Sequence, residues 1–216
     1  MNVMSPGSQT ILRDFQKLRT ADWRRDFFGS SKHQFRITQP LSEATVREFE
    51  KKHAIQLPQD YRCFLLEVGN GGAGPYYGLF RLGETDSGWG HSSWAEGDGF
   101  VGDLSKPFPH TEAWNDLTGK PHDENENEEI YEQQVTAFEE RYFTSANVNG
   151  AIPICHIGCA LRQWLIVTGP EAGNVWCDDR ADWKGLFPLI GKTGGRVTFY
   201  RWYRDWLDEA LRYNAL

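Results

Sequence analysis

The sequence predicts an α+β fold with a central, mostly antiparallel sheet flanked by N-terminal helices and a C-terminal amphipathic helix. Two observations carry this: apolar residues recur at helical spacing near both ends of the chain, and short apolar runs separated by glycine-rich turns lie between 150 and 190. Strands joined by such short turns pair antiparallel. The 216 residues fit one domain, with 83–149 as an inserted loop and acidic helix.

Ile11, Leu12, Phe15 and Leu18 share one face of a first helix, with Ser8 or Thr10 as its cap. Trp23, Phe27 and Phe28 then lead through Gly29 to an edge segment at Phe35–Ile37. A second helix starts after Ser42, whose hydroxyl suits an N-cap, while Leu41 and Val46 stand at the spacing of a hydrophobic staple. Lys51 and Lys52 sit where its dipole favours cations. Pro58 suits the first position of a third helix bearing Tyr61, Phe64, Leu65 and Val68, which Gly69 and Asn70 end by taking the left-handed conformation. Tyr76 to Leu82 reads as a strand.

Glycines punctuate 83–118, a loop-like stretch bearing Trp89, Trp94 and Trp114. Those rings are either loop anchors or exposed hot spots for a partner. Ile130, Val135, Phe138 and Tyr142 then predict a helix over 128–142. Strands follow at 152–157, 160–168 and 174–178, with a short apolar run at 187–190, and Phe199, Trp202, Tyr203, Trp206, Leu207, Ala210 and Leu211 mark the closing helix.

Charge is concentrated. Of thirty Asp and Glu, eight fall between Asp123 and Glu140 (Asp123, Glu124, Glu126, Glu128, Glu129, Glu132, Glu139, Glu140), a segment without Lys or Arg, leaving 22 acidic against 23 basic residues elsewhere. Nucleic-acid binding, which needs a basic footprint, is disfavoured. The carboxylates are either a solvated helix face or a surface complementary to a basic protein, in which they would imitate the charge of nucleic acid. The first residues lack the basic cluster and apolar run of a secretory signal, and no stretch is apolar for the length a membrane helix needs, so a cytoplasmic location is expected. Cys63, Cys155, Cys159 and Cys177 lie in apolar segments and are expected as reduced, buried thiols.

Motifs of chemistry were weighed and set aside. Gly69-Asn70-Gly71-Gly72-Ala73-Gly74 has dinucleotide-fingerprint spacing but closes a helix instead of opening one. Gly191-Lys192-Thr193 lacks a correctly spaced upstream glycine, and Gly194-Gly195 oppose the helix a P-loop requires. Asp123, Asn125 and Asn127 begin a calcium loop that Glu128 and Gln134 spoil. Cys155, His156, Cys159 and Cys177 do not have a common zinc spacing, and His91, His110 and His156 stand in no triad-like pattern. No cofactor and no catalytic activity are expected.

The capped helix Leu41-Ser42-Glu43 to Phe49, Ile55-Gln56-Leu57-Pro58-Gln59-Asp60-Tyr61 running into Phe64-Leu65, and the stop Asn70-Gly71-Gly72 resemble the SUKH superfamily of fungal Smi/Knr-type cell-wall regulators and bacterial immunity proteins. Ile152-Pro153-Ile154, Gly158-Cys159, Trp164-Leu165-Ile166-Val167, Gly173-Asn174-Val175-Trp176 and Phe199 to Leu207 extend the resemblance. It implies a protein-binding function without a catalytic motif: neutralisation of a toxin, often a nuclease, or scaffolding of signalling proteins. Partner-binding residues are expected in the stretch least like the family, at Glu124, Glu126, Glu128, Glu129, Glu132, Trp89, Trp94 and Trp114.

Overall fold

The computed structural model describes residues 4–20, 27–83, 101–122 and 127–214. Four strands, β1 (Ala151–Gly158), β2 (Leu161–Ile166), β3 (Val175–Asp178) and β4 (Leu186–Pro188), form an antiparallel sheet in the order β1-β2-β3-β4. Cys159 and Ala160 turn β1 into β2 with φ of 49° and 62°. Both central residues are left-handed, as a two-residue hairpin whose twist matches its strands requires. The register of β1 shifts between Pro153 and Cys155. There two consecutive residues, Ile154 and Cys155, join the same core, which a bulge permits and a regular pleat does not.

Both faces of the sheet are covered. Ile152, Ile154, Leu165 and Val175 belong to the larger core, shared with the helices, whereas Ala151, Trp164, Ile166, Trp176 and Leu186 belong to a second core with Phe108 and Val148. The strands therefore read as nearly continuous apolar runs instead of alternating ones.

The larger core is roofed by α1 (Pro6–Thr20), α2 (Ser30–His33), α3 (Glu43–His53), α4 (Gln59–Glu67) and α6 (Phe199–Asn214). The α1 cap is Ser5, whose Oγ accepts from the Ser8 amide at 3.2 Å, so the helix starts earlier than Ser8 or Thr10 would allow. Pro6 takes the first turn, where its missing N–H costs nothing. Ser42 caps α3 as expected, accepting from the Thr45 amide, and Val46 is buried in the core against which Leu41 packs. Phe64 meets Phe199 and Tyr203 edge-on at centroid distances of 5.3 and 4.7 Å. Asp60 reaches across to accept from the Tyr200 amide at 2.9 Å and so fixes the start of α6.

Four local expectations are corrected. Pro58 is the N-cap of α4, with ψ 135°, and Gln59 is the first helical residue. The left-handed residues after α4 are Gly71 and Gly72, not Gly69 and Asn70. A Cβ on Gly69 would stand 2.4 Å from the Thr38 carbonyl oxygen, so its role is close packing against 36–38. Tyr76 to Leu82 is not a regular strand: Leu79 bridges Gly72 and Cys155 and Phe80 donates to the Ile154 carbonyl, but φ of 53° at Tyr76 and 110° at Gly78 break the ladder. The 35–37 edge reduces to one bridge between Ile37 and Gly72, because Phe35 has φ of 50° after the unforeseen α2.

The opposite face is covered by 101–122, by α5 (Glu128–Tyr142) and by a 3-10 turn at Ser145–Val148. The backbone of Phe108 donates to Thr168, and Trp114 and Leu186 exchange two main-chain bonds of 2.8 Å each.

Candidate functional site

The acidic helix is held at one end and exposed at the other. Asn127 caps α5 by accepting from the amides of Glu129 and Ile130 at 3.1 and 3.3 Å. In the last turns Phe138 and Tyr142 are buried and pack with Trp183 at 5.6 and 5.5 Å. Trp114, half-buried, stacks between His110 at 5.1 Å and Tyr142 at 5.4 Å. The Tyr142 hydroxyl donates to Asn115, and burial pushes its phenol up to about 12.

Beneath this cluster Arg180, with a side chain 2% exposed, makes a two-pronged pair with Asp178 at 2.8 and 2.7 Å. Asp178 also accepts from the Trp164 indole at 2.9 Å. A fork-on-fork pair with a further donor satisfies the groups a buried charge must satisfy. On the surface Arg141 joins Asp116 at 2.6 Å and also donates to the Thr118 carbonyl, tying α5 to the loop.

In the other half of α5 the carboxylates face solvent. Glu128, Glu129 and Glu132 are exposed and form no ion pair among the described residues, and Ile130 is 49% exposed among them. Carboxylates in the first turn lie where the helix dipole favours them. This half presents negative charge around one apolar side chain. Glu124, Glu126, Trp89 and Trp94, expected as partner-binding, lie outside the described residues, as do His91 and the start of the calcium-like sequence.

A second surface was not legible in advance. Phe28, Tyr76 and the closing helix border a groove of about 420 Å³ that also contains Trp202, Trp206, Asp205 and Glu209. Phe28 meets Tyr76 edge-on at 6.1 Å, and both are exposed, at 57% and 37%. Its signal in the sequence is aromatic residues at 27–28, which read as the lead into an edge segment, and at 76–77, which read as part of a strand.

His110, His156, Cys155 and Cys177 serve packing. His110 stacks on Trp114 with Nε2 3.2 Å from the Asn147 carbonyl, and burial holds it below its ordinary value. His156 faces Tyr77 at 5.9 Å. Cys155 and Cys177 are buried, which raises both thiols, the second to about 11, whereas Cys159 is exposed at the hairpin turn, contrary to expectation. Among the described residues no three His, Cys, Asp or Glu gather to hold a metal, and no helix is long and apolar enough to cross a membrane.

Fold and site together define an α+β module that offers a charged helix end and an aromatic groove. The model of the SMI1 / KNR4 family (SUKH-1) matches residues 40–190, and the chain belongs to that family. The match takes in α3, α4, the whole sheet and the layer over its second face, and ends before α6. No curated protein and no solved structure matches the chain.

Proposed function

We propose that this SUKH-type protein is a non-catalytic immunity protein that binds and neutralises a protein toxin in the cytoplasm. The observation that carries the reading is the N-terminal half of α5, where Glu128, Glu129 and Glu132 are exposed around Ile130 and form no ion pair among the described residues. A basic surface, such as the nucleic-acid site of a nuclease, is its electrostatic complement. Family membership supports a protein partner. In this reading 83–149 is the part of a single domain that sets partner choice, with Glu124, Glu126, Trp89 and Trp94 extending the surface and Trp114 holding its base.

The test is capture from the native cell with the full chain as bait, beside a Glu128→Gln, Glu129→Gln, Glu132→Gln variant. The expected result is a toxin whose activity the chain inhibits and which the variant retains poorly. Capture of signalling proteins alone would instead support a regulatory scaffold. A toxin held and inhibited equally by both chains would remove α5 from the interface.

A further inference from the structure

The groove beside α6 lies apart from α5 and concentrates apolar exposure. Among the described residues, Phe28 at 57%, Tyr76 at 37% and Tyr213 at 39% are exposed large hydrophobics on or beside it, and Ile190 at 48% follows the lining residue Leu189. A contiguous patch of this kind on a folded chain marks an interaction surface more often than isolated exposed residues do.

Its walls are fixed before any partner arrives. Cys155 Sγ lies 3.0 Å from the Pro75 carbonyl and donates to it, and the backbone of Tyr76 is held in the left-handed region at φ 53°. A Cβ on Gly29 would fall 1.5 Å from the Tyr76 carbonyl, so only glycine lets these two segments meet. At the floor, the Trp202 indole donates to the buried Gln163 side chain at 2.8 Å. The Trp206 ring is 6% exposed and its N–H has no acceptor among the described residues.

The charge in the groove has one sign. Among the described residues its lining carries two carboxylates, Asp205 and Glu209, and no Lys or Arg. Asp205 shares a 2.9 Å contact with Arg201 on the solvent side of α6, while Glu209 is exposed with no ion pair among the described residues. The Tyr76 phenol is raised by burial first and then by surrounding negative groups that include Asp179 and Glu209. Aromatic faces attract a cation through their quadrupoles, and adjacent carboxylates add a direct charge partner. A planar guanidinium gains from both, because it stacks on rings and forks onto carboxylates, whereas an ammonium acts as a point charge.

We propose that this groove receives an arginine side chain from a segment of a partner protein, stacked on Tyr76 above the Trp202 and Trp206 floor and paired with Glu209. The site is independent of the acidic end of α5 and gives the protein a second point of attachment. An arginine-bearing partner would be read by charge and by ring geometry together, which separates it from a merely apolar segment.

The experiment follows the indole N–H resonances of Trp202 and Trp206 in the 15N-labelled full chain while blocked Gly-Arg-Gly, Gly-Lys-Gly, Gly-Gln-Gly and Gly-Leu-Gly peptides are added. The arginine peptide should shift both signals and saturate at millimolar concentration, with lysine weaker. Glu209→Gln, at an exposed position that folding does not depend on, should weaken arginine binding about three- to tenfold, the change that about 1 kcal/mol of charge interaction gives. Equal shifts from Leu and Arg peptides would overturn the proposal in favour of apolar docking, and absence of any shift would overturn it outright. Arg24 and Arg25 precede Phe27 in the sequence. If Arg24→Gln with Arg25→Gln moved the same indole signals without peptide and opened the groove to binding, the chain's own arginines would be the occupant and the proposal would also fall.

Discussion

The two faces of the sheet are closed by different means. One is covered by helices whose apolar stripes repeat every three or four residues and whose rings, such as Phe64, Phe199 and Tyr203, interlock along α4 and α6. The other is covered by irregular chain and one helix, pinned by single aromatic rings, two-residue backbone exchanges and the buried Arg180–Asp178 pair. Periodic burial yields a rigid layer from weak, repeated contacts. Specific anchors act at single side chains, and α5 shows it: its last turns bury Phe138 and Tyr142 between exposed charges, and its first turns carry exposed carboxylates at Glu128, Glu129 and Glu132.

The sharpest way to break this contrast is Arg180→Ala, which leaves Asp178 buried without its partner. The expected loss is about 3–5 kcal/mol in urea unfolding. If the second layer is part of one cooperative unit, near-UV and far-UV signals will fall together; separate transitions would make that layer an accessory. Leu65→Ala on the helical face should cost about 2–5 kcal/mol in a single transition, since it opens a cavity in the periodic core.

Acid provides a third probe. His33 is fully buried against Phe35 and Trp206, its Nδ1 accepts from the Phe35 amide, and burial lowers its pKa to about 4. A histidine whose folded value lies below its ordinary one takes up its proton more readily when unfolded. Stability should therefore be intact above the ordinary histidine range and fall by up to about 3 kcal/mol as pH drops toward 4. His33→Phe should remove that part of the pH slope, whatever its effect on absolute stability; an unchanged slope would assign the acid sensitivity to carboxylates. The smaller effects come last. Ser42→Ala should cost about 1 kcal/mol through the lost α3 cap. Replacing Glu128, Glu129 and Glu132 with Gln should change stability by no more than about 1 kcal/mol, through the helix dipole alone.

Legibility in the sequence follows the same division. α3, α5 and α6, the first three strands and the Ser42 cap were readable because their signals are local: period, cap chemistry and turn composition, whereas β4 showed only as a short apolar run at 187–190. The span of α5 coincides with the stripe from Ile130 to Tyr142. The break at Tyr76 was hidden because a non-glycine residue adopts positive φ there, beside a carbonyl that Gly29 approaches closely. The exchange of Pro58 from first helical residue to cap depends on ψ, which proline leaves open. The second core and the groove beside α6 join residues far apart in sequence, such as Phe28, Tyr76 and Trp206, which no periodicity links. The acidic character of α5 was plain, but which carboxylates protrude depends on where Phe138 and Tyr142 are buried.

The central claim is that the exposed N-terminal half of α5 meets a basic partner. Stopped-flow association of the captured toxin with the wild-type chain and with the Glu128→Gln, Glu129→Gln, Glu132→Gln variant, at low and at physiological salt, tests it most directly. The account predicts association slowed by about tenfold or more at low salt and a flatter salt dependence for the variant. Equal rates and equal salt slopes for the two chains would contradict it.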